Sequence, residues 1–182
     1  MRTPFLILFL AIPLLGYIFG TSQRARNVSE RTHIKLVEWE KHIPQKAALD
    51  TTVSHVSVAW HLDHGLKVIN SISTALQKSD PSQFKRQINF TRMAVFLGGA
   101  MPRGVGKAPE SVQPPEQILT EDILSQLDEA RSNIDQFKTL AIDAHFDHPV
   151  FGTLNRDQVL RFLEIHTEHH LKIIRDILKA KQ

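Results

Sequence analysis

The sequence from Asn155 to Leu178, NRDQVLRFLEIHTEHHLKIIRDIL, decides the fold class, because its apolar residues recur at steps of three and four. This spacing places them on one face of an α-helix, and asparagine is a preferred N-cap residue. The residues that we expect to be buried are Val159, Phe162, Leu163, Ile165, Ile173, Ile174, Ile177 and Leu178. The sequence therefore predicts a long amphipathic helix that packs against other helices.

Two segments nearer the N-terminus show the same period. The first opens at Ser29 and ends at Pro44, with Ile34, Val37 and Ile43 expected on its buried face. The second is longer, and Asp50, Thr51 or Thr52 can cap it. It runs to Asp80-Pro81, and its apolar stripe consists of Val56, Ala59, Trp60, Leu66, Ile69, Ile72 and Leu76.

Two further helices are separated by a loop rich in glycine and proline. One is expected over about 82–97 and the loop over 98–117. The other starts at Thr120, with Ile123, Leu127, Ile134, Phe137 and Leu140 on one face. Because no useful length alternates with period two, we expect no sheet and interpret Asp147 to Gly152 as a turn. The predicted fold is all-α: a four-helix bundle with an extra short helix and the long loop in the crossover between the second and third bundle helices.

Length and composition exclude several classes of protein. The chain has 182 residues, enough for one domain, and it has no cysteine, which excludes disulfides, thiolate metal ligands and a cysteine nucleophile. A net charge of +3 is too small to indicate nucleic-acid binding. The unusual count is ten histidines.

The N-terminal segment has the pattern of a targeting sequence. Arg2 precedes an uncharged apolar run from Phe5 to Phe19, and small residues at 20–22 suit cleavage. We expect residues 1–22 to be a signal peptide or a membrane anchor, and residues 23–182 to form the domain. The predicted location is therefore membrane-anchored or exported, with the membrane as a partner through this segment.

Two pairs of histidines have the spacing of metal ligands. His166 and His170 lie four residues apart on one helix face, so both can reach one ion. The second helix offers His61 and His64, and periodicity does not choose between them. A site completed by Glu164 or Glu168, or a surface cluster without a role, also fits the spacing.

Three runs give the sequence a family resemblance. His166-Thr167-Glu168-His169-His170 resembles the HxxHH signature of the DinB/YfiT-like superfamily. The segments 106–116 and 148–154, together with Trp60-His61-Leu62, are similar to an uncharacterised family of bacterial proteins within it, known as a domain of unknown function. The resemblance covers about residues 28–180.

The resemblance implies a four-helix bundle that holds a divalent metal, zinc or nickel, through His61, His166 and His170. Characterised members of the superfamily activate a low-molecular-weight thiol for transfer to electrophiles. Many of these thiol transferases have a basic residue, glycine and glutamine after the last histidine, where this chain has Leu171-Lys172-Ile173.

Three functions follow as hypotheses. The first is a metal-dependent enzyme that uses a thiol or water nucleophile, with Asp63, Glu164, Glu168 and His169 as candidates for orienting ligands or moving protons. Its partner is a low-molecular-weight thiol or another small molecule, and a homodimer is compatible with the fold. The second is a metal-stabilised binding domain tethered to a membrane and without turnover. The third is a helical interaction module without metal.

Overall fold

The computed structural model describes residues 26–180, which form a mostly helical fold with one small sheet. Helix α1 is described over 26–41. The other helices are α2 (Val58–Lys78), α3 (Phe90–Gly98), α4 (Thr120–Gln136) and α5 (Arg156–Lys179). Short 3-10 turns occur at Ile43–Gln45, Pro81–Gln83, Glu110–Val112 and Phe137–Thr139. The strands β1 (His145–His148) and β2 (Gly152–Asn155) pair antiparallel between α4 and α5.

The core lies between the four longer helices. Helix α2 packs on both α4 and α5. The side chains buried there include Leu62, Leu66 and Ile69 of α2, Ile123, Leu127 and Ile134 of α4, and Leu163, Ile174 and Ile177 of α5. Burying each such side chain stabilises the fold by roughly 1.5–3 kcal/mol. Partly exposed ion pairs between α1 and α5, such as Arg31 with Glu164, add at most about 1 kcal/mol each. Apolar packing therefore dominates.

Helix α1 packs closely against α2 through Trp39, which is buried. A Cβ atom built on Gly65 of α2 would lie 2.0 Å from the indole ring of Trp39. A glycine inside a helix costs about 1 kcal/mol in propensity relative to alanine. At position 65, next to His64, the absence of a Cβ atom offsets this cost because it leaves room for the indole ring.

Side-chain caps fix where the two histidine-bearing helices begin. Ser57 accepts a hydrogen bond from the backbone N–H of Trp60 and so starts α2. Asn155 and Gln158 form a capping box at the start of α5. The predicted cap at Asn155 is confirmed, whereas the predicted start of α2 at residues 50–52 is wrong because Asp50 caps a separate turn at Thr52.

The prediction of no sheet is wrong, and the predicted turn at Asp147 to Gly152 is the centre of a hairpin. His145 pairs with Asn155, and His148 pairs with Gly152, which has a φ of 68° that glycine tolerates. Each strand has only four residues, so no periodicity of two can develop. Side chains outside the ladder support the hairpin: Arg92 donates to the carbonyl oxygens of Phe151 and Thr153.

Two other helix predictions are corrected. The buried face of α1 carries Val28, Leu36 and Trp39, whereas Ile34 and Val37 are exposed. The helix expected over 82–97 is shorter, because Asn89 caps α3 and the chain before it is extended. Gly99 ends α3 in the left-handed conformation, close to the predicted end.

Among residues 26–180, no helix combines the length and the apolar character needed to cross a bilayer. The predicted signal peptide or anchor at residues 1–22 lies outside the described part of the chain.

Candidate metal centre

Four histidines from α2 and α5 meet inside the fold. His61 and His64 come from α2, and His166 and His170 come from α5. Their exposed fractions are 4%, 5%, 8% and 5%, so each ring is shielded from bulk water. The capped starts of the two helices and the contact between them set the positions of these rings.

Three of these histidines form a group that can hold a metal ion: His64, His166 and His170. Each offers one ring nitrogen, and the three nitrogens lie within 4.8 Å of one another. The Nε2 atoms of His166 and His170 are 3.2 Å apart. Two nitrogens that ligate one tetrahedral zinc ion at about 2.0–2.1 Å are separated by about 3.3 Å. The separation of this pair therefore matches a shared ion.

The hydrogen bond of His64 determines which of its nitrogens is free. Its Nδ1 atom lies 2.9 Å from the carbonyl oxygen of Val112, and a carbonyl oxygen can only accept. The Nδ1 atom therefore carries the proton and Nε2 carries the lone pair. A ligating imidazole held by a backbone carbonyl through its other nitrogen is a common arrangement in metal sites.

His61 contacts the group from outside rather than joining it. Its Nδ1 atom lies 2.9 Å from Nδ1 of His170, and its Nε2 atom lies 3.0 Å from Oγ of Ser54. If His170 donates its Nδ1–H to His61, His61 donates its Nε2–H to Ser54, and Nε2 of His170 is left with a lone pair. The alternative that the sequence left open, His64, is the α2 histidine that the geometry groups with His166 and His170.

Burial keeps these rings neutral at physiological pH. Desolvation lowers the pKa of His61 to about 4 and holds the pKa values of His166 and His170 well below their ordinary value. Burial also lowers the pKa of His64. Because a histidine must be deprotonated to ligate a metal, the group is prepared for a cation near neutral pH.

One buried nitrogen in the group has no protein partner. Nδ1 of His166 is buried, and no hydrogen-bond partner for it exists among the described residues. Its ring contacts Phe162, with the ring centroids 5.3 Å apart. Trp60 stacks on His64 at 4.8 Å. Aromatic rings therefore flank the group on both helices.

His148 of the hairpin contacts Phe162, one of the aromatic residues that flank the group. Helical spacing could not have identified it, because it lies outside the helices. Its ring stacks on Phe151 at 4.6 Å and meets Phe162 at 4.8 Å. The backbone N–H groups of Val150 and Phe151 donate to its Nδ1 atom, so Nε2 carries the proton. Desolvation lowers the pKa of His148 to about 4. The only sequence signal was the 148–154 run that carries the family resemblance.

The three carboxylates predicted to orient ligands have cationic partners instead. Asp63 accepts from Lys67 and Gln126, Glu164 from Arg31 and Arg161, and Glu168 from Lys35 and Arg175. In the described part of the chain, none of these carboxylates hydrogen-bonds a histidine of the group. The fourth candidate, His169, has its ring edge against His170 at 5.2 Å.

The glycine- and proline-rich loop is attached to both helices beside the group. Val112 accepts the hydrogen bond of His64, and the backbone of Met101 hydrogen-bonds His169. Gly99, Met101 and Arg103 line a shallow pocket with His169 and Lys172. The loop therefore contacts one histidine of the group, His64, through Val112 of its short 3-10 turn.

Together, the helices and the three histidines define a mostly helical protein with a buried cluster able to hold a metal ion. The chain belongs to a protein family of unknown function, DUF1569, whose model matches residues 28–177. This match confirms the predicted similarity to an uncharacterised family over nearly the same range. Comparison with curated proteins and with solved structures gives no match to this chain.

Proposed function

We propose that this protein is a divalent-metal-dependent enzyme of the DinB-like type, a four-helix bundle in which His64, His166 and His170 hold zinc or nickel. One observation carries the proposal: three neutral imidazoles are buried with their nitrogens within 4.8 Å of one another. Neutral imidazoles are ligands that zinc and nickel both accept.

The three imidazole nitrogens are better explained by a bound metal ion than by a purely structural role in the core. Four imidazole rings packed together in the interior bury several polar nitrogens, which destabilises a fold unless each is paired. The 3.2 Å contact between the Nε2 atoms of His166 and His170 is explained if their lone pairs converge on a cation. His61 then has the role of orienting His170 rather than binding the ion.

Three protein ligands leave coordination positions free, which is typical of catalytic rather than structural sites. When bound, the ion would lower the pKa of a water or thiol so that it becomes a nucleophile near neutral pH. The protein's residues keep the ligands neutral by burial, fix the tautomer of His64 through the carbonyl oxygen of Val112, and shield the group from bulk water with Trp60 and Phe162.

The proposed reaction is the transfer of a low-molecular-weight thiol to an electrophile, or hydrolysis. His148 contacts Phe162, which also contacts His166, and its Nε2–H can donate a hydrogen bond to a substrate because Nδ1 accepts from the backbone. The carboxylates at 63, 164 and 168 are held in ion pairs, which disfavours them as the proton-transfer groups. We propose that His148 is a hydrogen-bond donor to the substrate and does not itself transfer a proton.

The test begins with metal content. Purified protein should contain about one zinc or nickel per chain by elemental analysis, and His64→Ala, His166→Ala and His170→Ala should each reduce it severely. His55→Ala is the matched control, since His55 is exposed and precedes the same helix. Unchanged metal content in the triple variant would refute the site.

Activity is tested on the metal-loaded protein with glutathione, bacillithiol or mycothiol and an alkylating electrophile, and separately with an activated ester. A rate that depends on both the metal and His166 supports the enzyme. Stoichiometric metal with no rate enhancement on any of these substrates would favour the second hypothesis, a metal-stabilised binding domain.

A further inference from the structure

Helix α3 presents an apolar stripe to solvent. Phe90, Met93, Ala94 and Leu97 are spaced three or four residues apart, so they lie on one side of the helix. Phe90 is 80% exposed and Leu97 is 86% exposed. Single exposed apolar residues are ordinary on protein surfaces, but a contiguous set marks an interaction site.

The inner side of α3 is already occupied by the rest of the fold. Val95 and Phe96 pack against the core, and the buried guanidinium of Arg92 bonds the hairpin carbonyls. A helix that is apolar on both sides is normally covered on both. No residue among 26–180 buries the outer stripe, so we expect it to contact another molecule or segment.

The segments that flank α3 also carry exposed apolar residues. Ile88 is 81% exposed just before the helix, and Val105 is 76% exposed in the loop that follows it. We call Phe90, Met93, Ala94 and Leu97 the outer face.

The charged residues of the segment that carries the outer face are all basic. No acidic residue occurs between Asp80 and Glu110, whereas five basic residues do, at 85, 86, 92, 103 and 107. Lys85, Arg86 and Lys107 are exposed, and no ion pair involving them exists within 26–180. Of the other two, Arg92 is buried and Arg103 pairs with Asp176.

We propose that the outer face docks on an anionic lipid surface. Apolar side chains on one side of a short helix, flanked by lysine and arginine, are the features with which helices lie in the interface of a membrane. In this arrangement Phe90 and Leu97 enter the acyl boundary, and Lys85, Arg86 and Lys107 meet acidic headgroups. This contact is separate from the N-terminal segment and from the histidine group.

A second copy of the chain fits the same face less well. A twofold contact places the same patch on both sides of the interface, so the basic flanks of two copies would face each other. No acidic residue in the 81–109 segment could offset that repulsion. An anionic lipid surface supplies the missing negative charge.

The test uses the full-length chain with an environment-sensitive fluorophore on a single introduced cysteine, since the native sequence has none. Ala94→Cys places the label on the outer face, and Ser125→Cys places it on an exposed position of α4. Vesicles of phosphatidylcholine with phosphatidylglycerol should shift the Ala94→Cys emission to the blue and lower its quenching by iodide several-fold. The Ser125→Cys label should remain accessible, which separates docking of this face from attachment through the N-terminus.

Two further variants separate apolar insertion from charge attraction. Phe90→Ser with Leu97→Ser should abolish the protection of the Ala94→Cys label. Lys85→Gln with Arg86→Gln should weaken it, as should pure phosphatidylcholine vesicles or high salt. The matched charge control, Lys41→Gln with Lys179→Gln, removes two exposed lysines elsewhere and should leave the protection unchanged.

Three outcomes would overturn the proposal. A label at position 94 that stays accessible with anionic vesicles excludes docking. Protection without lipid that increases with protein concentration identifies a second copy, and protection without lipid at every concentration identifies a segment of the same chain. Circular dichroism checks that each variant is folded. Metal content, measured in parallel, keeps this result independent of the proposed enzyme.

Discussion

The Nδ1 atom of His61 lies 2.9 Å from the Nδ1 atom of His170, while the other nitrogen of His170 faces His166 at 3.2 Å. His170 therefore directs one ring nitrogen toward His166 and the other toward His61. Because His61 is in turn bonded to Ser54, a chain of two side chains orients the ring of His170.

This relationship predicts that His61→Ala weakens metal binding without abolishing it. Loss of a side chain that orients a ligand typically lowers metal affinity by about 10–100-fold. Zinc affinity is measured by competition with a chromophoric chelator, with His55→Ala as the control. Ser54→Ala should have a smaller effect in the same direction. Loss of metal as complete as in His166→Ala would instead make His61 a ligand, as the sequence predicted.

The depressed pKa of His148 predicts a loss of stability in acid. Its pKa is about 4 in the folded protein and about 6.5 when unfolded, so between these values the unfolded state binds the additional proton. The free energy of unfolding should therefore fall as the pH is lowered from 6.5 toward 4. Urea unfolding at several pH values measures this slope.

His148→Asn is the test variant, since asparagine can still accept from the backbone N–H groups of Val150 and Phe151 but does not titrate in this range. The free energy of unfolding should then depend less steeply on pH. Some dependence should remain, because the four buried histidines between α2 and α5 also have lowered pKa values. An unchanged slope would show that His148 titrates alike in both states.

The close contact of Gly65 with Trp39 predicts that Gly65→Ala is destabilising despite the better helix propensity of alanine. The added Cβ would lie 2.0 Å from the indole ring, so α1 must shift. Overpacking of this kind costs typically about 1–3 kcal/mol, measured by chemical denaturation.

Gly98→Ala is the matched control, because a Cβ there meets no atom within 4 Å. It should change stability little. In the Trp39→Leu background the effect of Gly65→Ala should shrink, since the ring that it meets is gone. Additive effects of the two substitutions would contradict the steric explanation.

The hydrogen bonds of Arg92 indicate that this residue links α3 to the hairpin. Its guanidinium donates to the carbonyl oxygens of Gln87, Phe151 and Thr153, and it is buried. Arg92→Met keeps the apolar stem but leaves these acceptors unpaired, and we expect a loss of about 2–3 kcal/mol in unfolding free energy. Arg86→Met, at an exposed position, should be nearly neutral; equal losses in both would refute the role of Arg92.

Long amphipathic segments were predictable from sequence because their burial pattern repeats over several turns. The cap at Asn155 and the buried residues Ile123, Leu127 and Ile134 are confirmed. The predicted buried face of α1 was wrong, because Leu36 and Trp39 are buried whereas Ile34 and Val37 are exposed. Which face of α1 is buried depends on the helix that packs against it. The hairpin was missed because its contacts with Arg92 come from far along the chain.

The histidine group was predictable in part. The four-residue step between His166 and His170 predicted that they meet, and their Nε2 atoms lie 3.2 Å apart. The choice between His61 and His64 depends on a partner outside α2, the carbonyl oxygen of Val112, which no helical period reveals. His148 reaches the neighbourhood of the group through the fold of the hairpin and not through a spacing.

The hydrogen bond from His64 to Val112 joins the crossover loop to an imidazole whose other nitrogen is free for a cation. If an ion that binds His64 also orders the loop, order in the loop strengthens binding of that ion by the same free energy. Amide hydrogen exchange near residues 110–112 would accordingly slow as the ion is taken up. Exchange in this loop would then report whether the histidine group holds an ion.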